Sequence, residues 1–474
     1  MKNIRFLSFS FFLFTFSFAS HAQAPHLWVT ASGGGLYNAG TILESDSTGM
    51  NFHVVWNFDH PVAALPTDNL VLASNGKLYG TSLLGGYQDS CVIYSYDTST
   101  NFCDSVYNFM YHPEFGEASI GGLTLATNGK LYGIANEYTH NGVLFSFDPI
   151  TNVYTDEYNF SSGVGGYAQG GLIQATDGNL YGMTSGNLIF SEASVIYRFN
   201  PVSHVYTVMV DLNDSTGFGP AYTHLIQAAN GKLYGMVGAG GSYTSGAIIC
   251  FNIGDSSVTR LHSFNGYDGS NPFGSLIQAS NGKLYGMTYQ GGDSSQGNIF
   301  CYDITNNIFT NLYSFQNSTG MYPERDLFEL SNGLLLGTTY YGGAYNRGVI
   351  FSYDISSNVY TDILDFDSAT TGSNPISNII ETPRVFPASV TNLNNNHNPL
   401  TIYPNPVSDY LTIQGLASNT QIEITDVAGR VVFTQSAVVG VSPHHTNVQI
   451  DMRGYQAGVY LLHCGSEVKK IIKL

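Results

Sequence analysis

The residues best equipped for chemistry lie where the chain departs from its own pattern. His112, Glu114 and Glu117 fall close together, and Glu137, Tyr138 and His140 follow in the next loop. Imidazole and carboxylate groups at such spacing could hold a metal ion, or a carboxylate pair could act as general acid and base. The plainer reading is solvated loop variation. The loop Asp268-Gly269-Ser270-Asn271-Pro272 could offer oxygens to Ca²⁺ through Asp268. A hard cation prefers several carboxylates, however, and Asp-Gly followed by Asn-Pro makes a turn with no ligand. Tyr289 and Tyr340 each stand two residues before a glycine pair. Tyrosines on a loop-rich face can form a platform for sugars or peptides. No HExxH, GxSxG, GxxxxGK or EF-hand spacing occurs, so the sequence assigns no catalytic residue, metal or other cofactor.

The elements that position these residues are copies of one unit. Residues 276–292 read LIQASNGKLYGMTYQGG, and the LYG element recurs at Leu27, Leu78, Leu131, Leu180, Leu233, Leu284 and Leu335. The spacings are 51, 53, 49, 53, 51 and 51 residues. Asn281-Gly282 between two apolar runs signals a β-hairpin, expected with a type I′ turn in which both residues take positive φ. Each period holds four strand-like runs, a to d, the signature of a β-propeller blade.

The first copy starts at strand b, around Leu27-Trp28, and lacks its own strand a. Residues 374–381 (NPISNIIE) match residues 271–278 (NPFGSLIQ), which lead into strand a of another copy. The far end therefore supplies the missing strand. The fold class is all-β: a seven-bladed β-propeller closed by N- and C-terminal strands, followed by a small Ig-like β-sandwich. Closure in this way leaves no open sheet edge. The d-to-a and b-to-c loops should emerge on one face.

Two columns within the blade invite a functional reading. The strand b column Trp28, Tyr79, Tyr132, Tyr181, Tyr234, Tyr285 and Leu336 is nearly uniform. It reads as inter-blade packing rather than a ring of ligand-stacking aromatics. The strand a column Leu72, Leu125, Gln174, Gln227, Gln278, Glu329 and Glu381 turns polar around the ring. Those amides read as structural. Cys250 and Cys301 share a strand c position with Ser95, Ser146 and Ser352, and Arg198 replaces the small residue there. Arg198 reads as a packing change rather than an anion contact.

Charged residues are only 11% of the chain and the formal net charge is −18. That excludes a nucleic-acid partner, which needs clustered Lys and Arg. Lys2 and Arg5 precede a Phe-rich apolar run, so residues 1–22 read as a secretory signal peptide. No later run is long and apolar enough for a transmembrane segment. Five cysteines, widely spaced, do not make a disulfide framework. Residues 23–382 form the propeller, 383–398 an Asn-rich linker, and 399–474 a sandwich of short alternating strands.

Leu312-Tyr313-Ser314-Phe315, the 268–272 loop and residues 276–292 together resemble the GloVer-type repeat of bacterial "choice-of-anchor" surface proteins. The resemblance implies a secreted repeat domain and brings no catalytic residues. The C-terminal segment resembles the type A sorting domain of the Bacteroidetes type IX secretion system. The matching residues are Tyr403-Pro404-Asn405-Pro406, residues 424–430 ending in Gly429-Arg430, Met452 with Gly458-Val459-Tyr460, and the basic tail with Lys469 and Lys470. That resemblance implies recognition by the type IX machinery, cleavage near the linker, and release or attachment at the outer-membrane surface. The function expected is a non-enzymatic binding or adhesion module for an extracellular glycan or protein. The alternative is a polysaccharide-acting lyase or hydrolase using residues 112–140.

Overall fold

A computed structural model describes residues 25–473 except 61, 87–89, 110–118, 121, 138–139, 161–169, 186–193, 221–222, 384–400, 404–406, 415–420, 427–430, 437–447, 457 and 465–466. The signal peptide, the linker from residue 384, His112, Glu114, Glu117, Tyr138, Pro404, Asn405, Pro406, Gly429 and Arg430 lie outside the described residues, as do the side chains of Glu137, His140, Tyr403 and Lys470. The chain forms two compact units, Met1–Pro387 and Ala388–Leu474.

The first unit is a seven-bladed propeller. The sixth blade shows the plan, with antiparallel strands Ile277–Gln278, Leu284–Thr288, Asn298–Asp303 and Ile308–Ser314 paired in that order. In the first blade, strand b (Pro25–Gly33) pairs with Ser373–Pro375 and Ile380–Pro383 from the far end. The register places Leu27 opposite Glu381 and Ala31 opposite Pro375. Inside this seam the Trp28 indole Nε1–H donates to Thr382 Oγ1 at 2.7 Å. The closure expected from the complementary ends is the one observed.

Each residue of the LYG element has its own job. The leucines face the core: Leu27, Leu78, Leu131, Leu180, Leu233, Leu284 and Leu335 are all 0% exposed. The core is divided into seven apolar clusters, each straddling two neighbouring blades; Leu284, for example, packs with Phe264 and Tyr234 of the blade before. Truncating such a leucine to alanine should cost about 2–5 kcal/mol. The tyrosines are buried too, and their hydroxyls meet the preceding hairpin turn. Asn75, Asn128, Asn230 and Asn281 donate from Nδ2 to Tyr79, Tyr132, Tyr234 and Tyr285 at 2.7–2.9 Å. The column is therefore framework, as expected. The glycine is there for space: a Cβ on Gly286 would lie 2.7 Å from the Phe300 ring on strand c.

The hairpin turn differs from the expected type I′. Ala279 N–H donates to Lys283 O and Gly282 N–H to Ala279 O, closing a three-residue loop of Ser280, Asn281 and Gly282. Only Gly282 has positive φ, at 81°. This is a type I turn followed by a left-handed glycine, the three-residue hairpin geometry. Asn281 keeps negative φ because its side chain is already engaged: Oδ1 accepts from Lys283 N–H at 3.0 Å while Nδ2 holds the tyrosine.

Polar side chains of strand a tie neighbouring blades together on this same face. Gln227 Oε1 accepts from Thr176 N–H of the preceding blade at 2.8 Å while its Nε2 donates to Gly231 O at 2.9 Å. Gln174 and Gln278 repeat the pattern. Glu329 accepts from both Ser280 N–H and its hydroxyl. On the outside, rings of adjacent d strands stack. Tyr158 lies 3.9 Å from Tyr206, His262 3.8 Å from Phe309, and Tyr313 4.3 Å from Tyr360.

Arg198 is absorbed by its own blade. It sits opposite Tyr181, whose hydroxyl donates to Asp177 Oδ2 at 2.8 Å. Asp177 occupies the turn position that is asparagine in most copies, so the carboxylate answers the guanidinium. Hydrogen bonds from Asn179 and Tyr181, with the Arg198 charge, hold the Asp177 carboxyl below its usual range against the opposing effect of burial. Cys250 and Cys301, on the same column, are buried, and burial raises both thiols.

The second unit is a sandwich of a three-stranded and a four-stranded sheet. Its core holds Leu411, Ile413, Ile422, Ile424, Leu462 and Ile471. Tyr460 is buried there, and its hydroxyl donates to Gln456 O at 2.9 Å. Gly458 opens the strand Gly458–Cys464, which pairs with Glu467–Lys473 so that Leu462 faces Lys469 and Leu461 faces Lys470.

Candidate functional site

The d-to-a and b-to-c loops share one face, pinned together by single bridges that pair Ser270 with Gln290 and Met321 with Tyr341. In five d-to-a loops the residue before a proline takes left-handed backbone. It is Asn271 (φ 50°) in one copy and Asn374 (φ 56°) in another, both side chains that tolerate this region. In two copies it is Leu65 (φ 54°) and Tyr322 (φ 56°). Left-handed backbone costs a residue of that bulk about 1–2 kcal/mol. Both exceptions stand beside one opening on this face, which fits local strain held at a site.

That opening is a cavity of about 520 Å³ at the mouth of the propeller axis, lined by Leu65, Phe273, Tyr289, Glu324, Tyr340 and Tyr341, among others. The two sequence-predicted tyrosines therefore meet in one place. They occupy equivalent positions of neighbouring blades, and the backbone N–H of each is fixed by the d-to-a loop, Tyr289 to Asn271 O and Tyr340 to Tyr322 O. The Tyr289 ring lies 4.6 Å from Phe273 and stacks at 4.9 Å on Tyr322. Tyr340 meets Tyr341 edge-on at 4.6 Å. Burial raises the phenol pKa of Tyr289 and Tyr340, and the Glu324 charge adds to it. Burial likewise raises the Glu324 carboxyl, opposed by the neighbouring Arg325.

Below the mouth, Arg325 and Asp68 form a neck. They face each other at 3.5 Å, and Arg325 Nη2 donates to Thr67 O at 2.9 Å. Both also line a second cavity of about 230 Å³ at the axis. Its wall is a circuit of one residue per blade, each two residues before strand a. His224 N–H donates to Ser275 Oγ at 2.7 Å, and Ser275 N–H donates to Asp326 Oδ1. Asp326 N–H donates to Asn378 Oδ1 at 2.8 Å, and Asn378 N–H to Asn69 Oδ1 at 2.6 Å. The Asn378 amide also donates to Asp326 Oδ2 at 2.6 Å, and His224 Nε2 lies 3.5 Å from that oxygen. The third and fourth blades carry Gly122 and Gly171 instead, so the circuit stops there. His224, Ser275 and Asp326 contain the ingredients of a nucleophilic triad. Ser275 is 1% exposed, however, and its oxygen accepts a backbone N–H, which suits a structural relay.

Asp268 is not among the residues lining this mouth. Asp268 is engaged within its own loop, accepting from Asn265 N–H at 2.8 Å and meeting His262 Nε2 at 3.1 Å. Glu137 and His140 end and begin strands that meet at a bulge in the third blade. Among the described residues, no group of three His, Cys, Asp or Glu side chains could hold a metal ion, and no helix is long and apolar enough to cross a membrane. Glu324, Arg325 and the axial circuit escaped the reading of the sequence. The signal was present in the residue after the loop proline of four copies, which changes from Phe273 to Glu324 to Ile376 to Thr67.

The sequence profile of the Gloeobacter/Verrucomicrobia repeat matches residues 17–192 and 172–403, together well over half of the chain. The chain belongs to this repeat family. The profile of the secretion-system C-terminal sorting domain matches residues 401–474. The repeat protein thus ends in a type IX sorting domain, which engages that secretion machinery and directs it to secretion and the cell surface. Among curated proteins, none matches the chain in sequence. Solved structures share the fold alone. A 6-phosphogluconolactonase-like protein from Bacteroides fragilis is 15% identical, with a TM-score of 0.52 over 77% of this chain and 99% of its own. Its counterpart from Bacteroides uniformis is 12% identical, with a TM-score of 0.52 over 76% and 100%. TolB from Acinetobacter baumannii is 16% identical with a TM-score of 0.40; 60% of this chain matches it, spanning 63% of TolB's length.

Proposed function

We propose that this secreted propeller is a binding module that takes an extracellular glycan into the axial mouth between Tyr289 and Tyr340. The observation that supports the reading is the composition of that cavity. Aromatic walls, Glu324 and Arg325 converge on about 520 Å³. Aromatic faces cover the C–H faces of a sugar ring, while a few placed polar groups select its hydroxyls. The two strained loop residues at the same place support selection for what that face presents, since the framework needs only Asn there.

A hydrolase working here would need a second carboxylate opposite Glu324. Asp68, the nearest candidate in the lining, is held by Arg325 and by Asn69 N–H at 2.7 Å, which favours binding over cleavage. The test is a glycan array probed with the full mature chain and with Tyr340→Ala. Binding to a defined glycan class, weakened at least about tenfold by the substitution, is the expected result. Absence of binding to every glycan, or binding indifferent to Tyr340, overturns the reading. Sugar release from the bound glycan would overturn the non-enzymatic part of it.

A further inference from the structure

The charges around the mouth are unequal in their partners. Arg325 is committed to Asp68 and to Thr67 O. His224 faces Asp326 deeper at the axis. Glu324 is left beside three tyrosines, and among the described residues no hydrogen bond reaches its carboxylate. The protein supplies no second cation to the mouth, since Arg325 is the one basic residue among the described residues of its lining. A half-buried carboxylate within aromatic walls is the environment that attracts an organic cation. The ring faces are negative, the carboxylate is incompletely solvated, and an ammonium satisfies both. The net charge of −18 on the chain pulls in the same direction over longer range.

We propose that the mouth selects glycans bearing free amino groups, with an ammonium substituent of the sugar seated against Glu324 and the tyrosine rings. The inference rests on the glycan reading above and narrows it to amino sugars that are not N-acetylated. A neutral sugar leaves Glu324 without a counter-charge, and an acidic sugar sets a second negative charge beside Glu324 and Asp68. A lysine side chain offers the same ammonium. Its single alkyl stem, though, would leave much of a cavity this wide unfilled, whereas a pyranose ring also presents hydroxyls to Glu324 and Arg325.

The test uses the full mature chain and isothermal titration at low and moderate salt. The probes are a β-1,4-glucosamine hexamer, its fully N-acetylated form, a glucose hexamer of the same linkage, and a lysine-rich peptide. The glucosamine hexamer is expected to bind about tenfold tighter than either neutral hexamer, and added salt should narrow the gap. Glu324→Gln, which keeps the shape of the side chain, should abolish the preference for the glucosamine hexamer over the two neutral ones. An unchanged melting temperature would show that the variant is folded. Equal affinity for the three hexamers, or a preference that survives Glu324→Gln, overturns the amino-sugar inference and leaves the glycan reading intact. Failure of all three hexamers overturns the amino-sugar inference, while the glycan reading beneath it stands or falls with the array. Tighter, Glu324-dependent binding of the peptide overturns the glycan occupant in favour of a protein ammonium.

Discussion

The axial circuit makes an arithmetic prediction about exchanging two of its members. Asp326 accepts from Ser275 N–H on one oxygen and from the Asn378 amide on the other. Asp326→Asn keeps the shape but turns one acceptor into a donor that faces the Asn378 amide. One buried donor loses its partner, at about 1–3 kcal/mol, and a charge-assisted bond is lost with it. Together these should cost about 2–4 kcal/mol. Asn378→Asp instead sets two carboxylates against each other, so its penalty should shrink at low pH, where one of them protonates. The exchange Asp326→Asn with Asn378→Asp restores every bond of the circuit. The carboxamide now at position 326 still accepts from Ser275 through its oxygen, and its nitrogen donates to the carboxylate now at position 378. Only the contact between His224 and the Asp326 charge changes. Measured by denaturant melts, the exchange should recover stability to within about 1 kcal/mol of the parent. If the double variant is as unstable as the sum of the single ones, the circuit does not hold the blades as described.

Other expectations follow from the closure, the outer stacks and the sorting domain. Deleting residues 374–381 removes three of the six residue pairs along Pro25–Gly33, those of Pro375, Ile380 and Glu381. The product should aggregate on size-exclusion chromatography, and a monomer with parent-like melting would contradict the ring. Burial lowers the pKa of His262, and Asp268 only partly opposes it. The unfolded chain therefore takes up this proton more readily than the folded one as pH falls below about 6.5. Stability should drop on that side, and His262→Phe, which preserves the stack on Phe309, should flatten the decline between pH 7.5 and 5.5. Finally, intact-mass measurement of secreted material should show loss of the C-terminal domain. A mature chain that still carries residues 401–474 would contradict processing near the linker.

The ring and its closure could be read from the sequence because both depend on period and phase, which repetition displays directly. Leu27 without a strand a, and residues 374–381 without a strand b, are complementary absences. The turn type was harder. Asn-Gly serves both a two-residue I′ hairpin and a three-residue hairpin with one left-handed glycine. What separates them is the Asn281 side chain, held between Lys283 and Tyr285. Tyr289 and Tyr340 stood out as aromatics before glycine pairs. Glu324 did not, because a carboxylate in a loop usually means solvation, and only superposed loops show it turned toward the axis. The circuit was least visible of all. Asn69, Ser275, Asp326 and Asn378 share no chemistry beyond a short side-chain oxygen, and that oxygen is the property the position requires.

The seam between Trp28 and Thr382 also sets an order in time. Whether the chain emerges from a ribosome or from an export channel, the first blade is begun first and finished last. The edge of Pro25–Gly33 stays bare until some 340 further residues have passed. A contact so distant along the chain is slow to form and leaves a sticky edge meanwhile. The segment that relieves that edge directly precedes the linker and the sorting domain. The export tag therefore follows the closing strand, and by the time the tag has emerged, the last piece needed to shut the ring is already in hand.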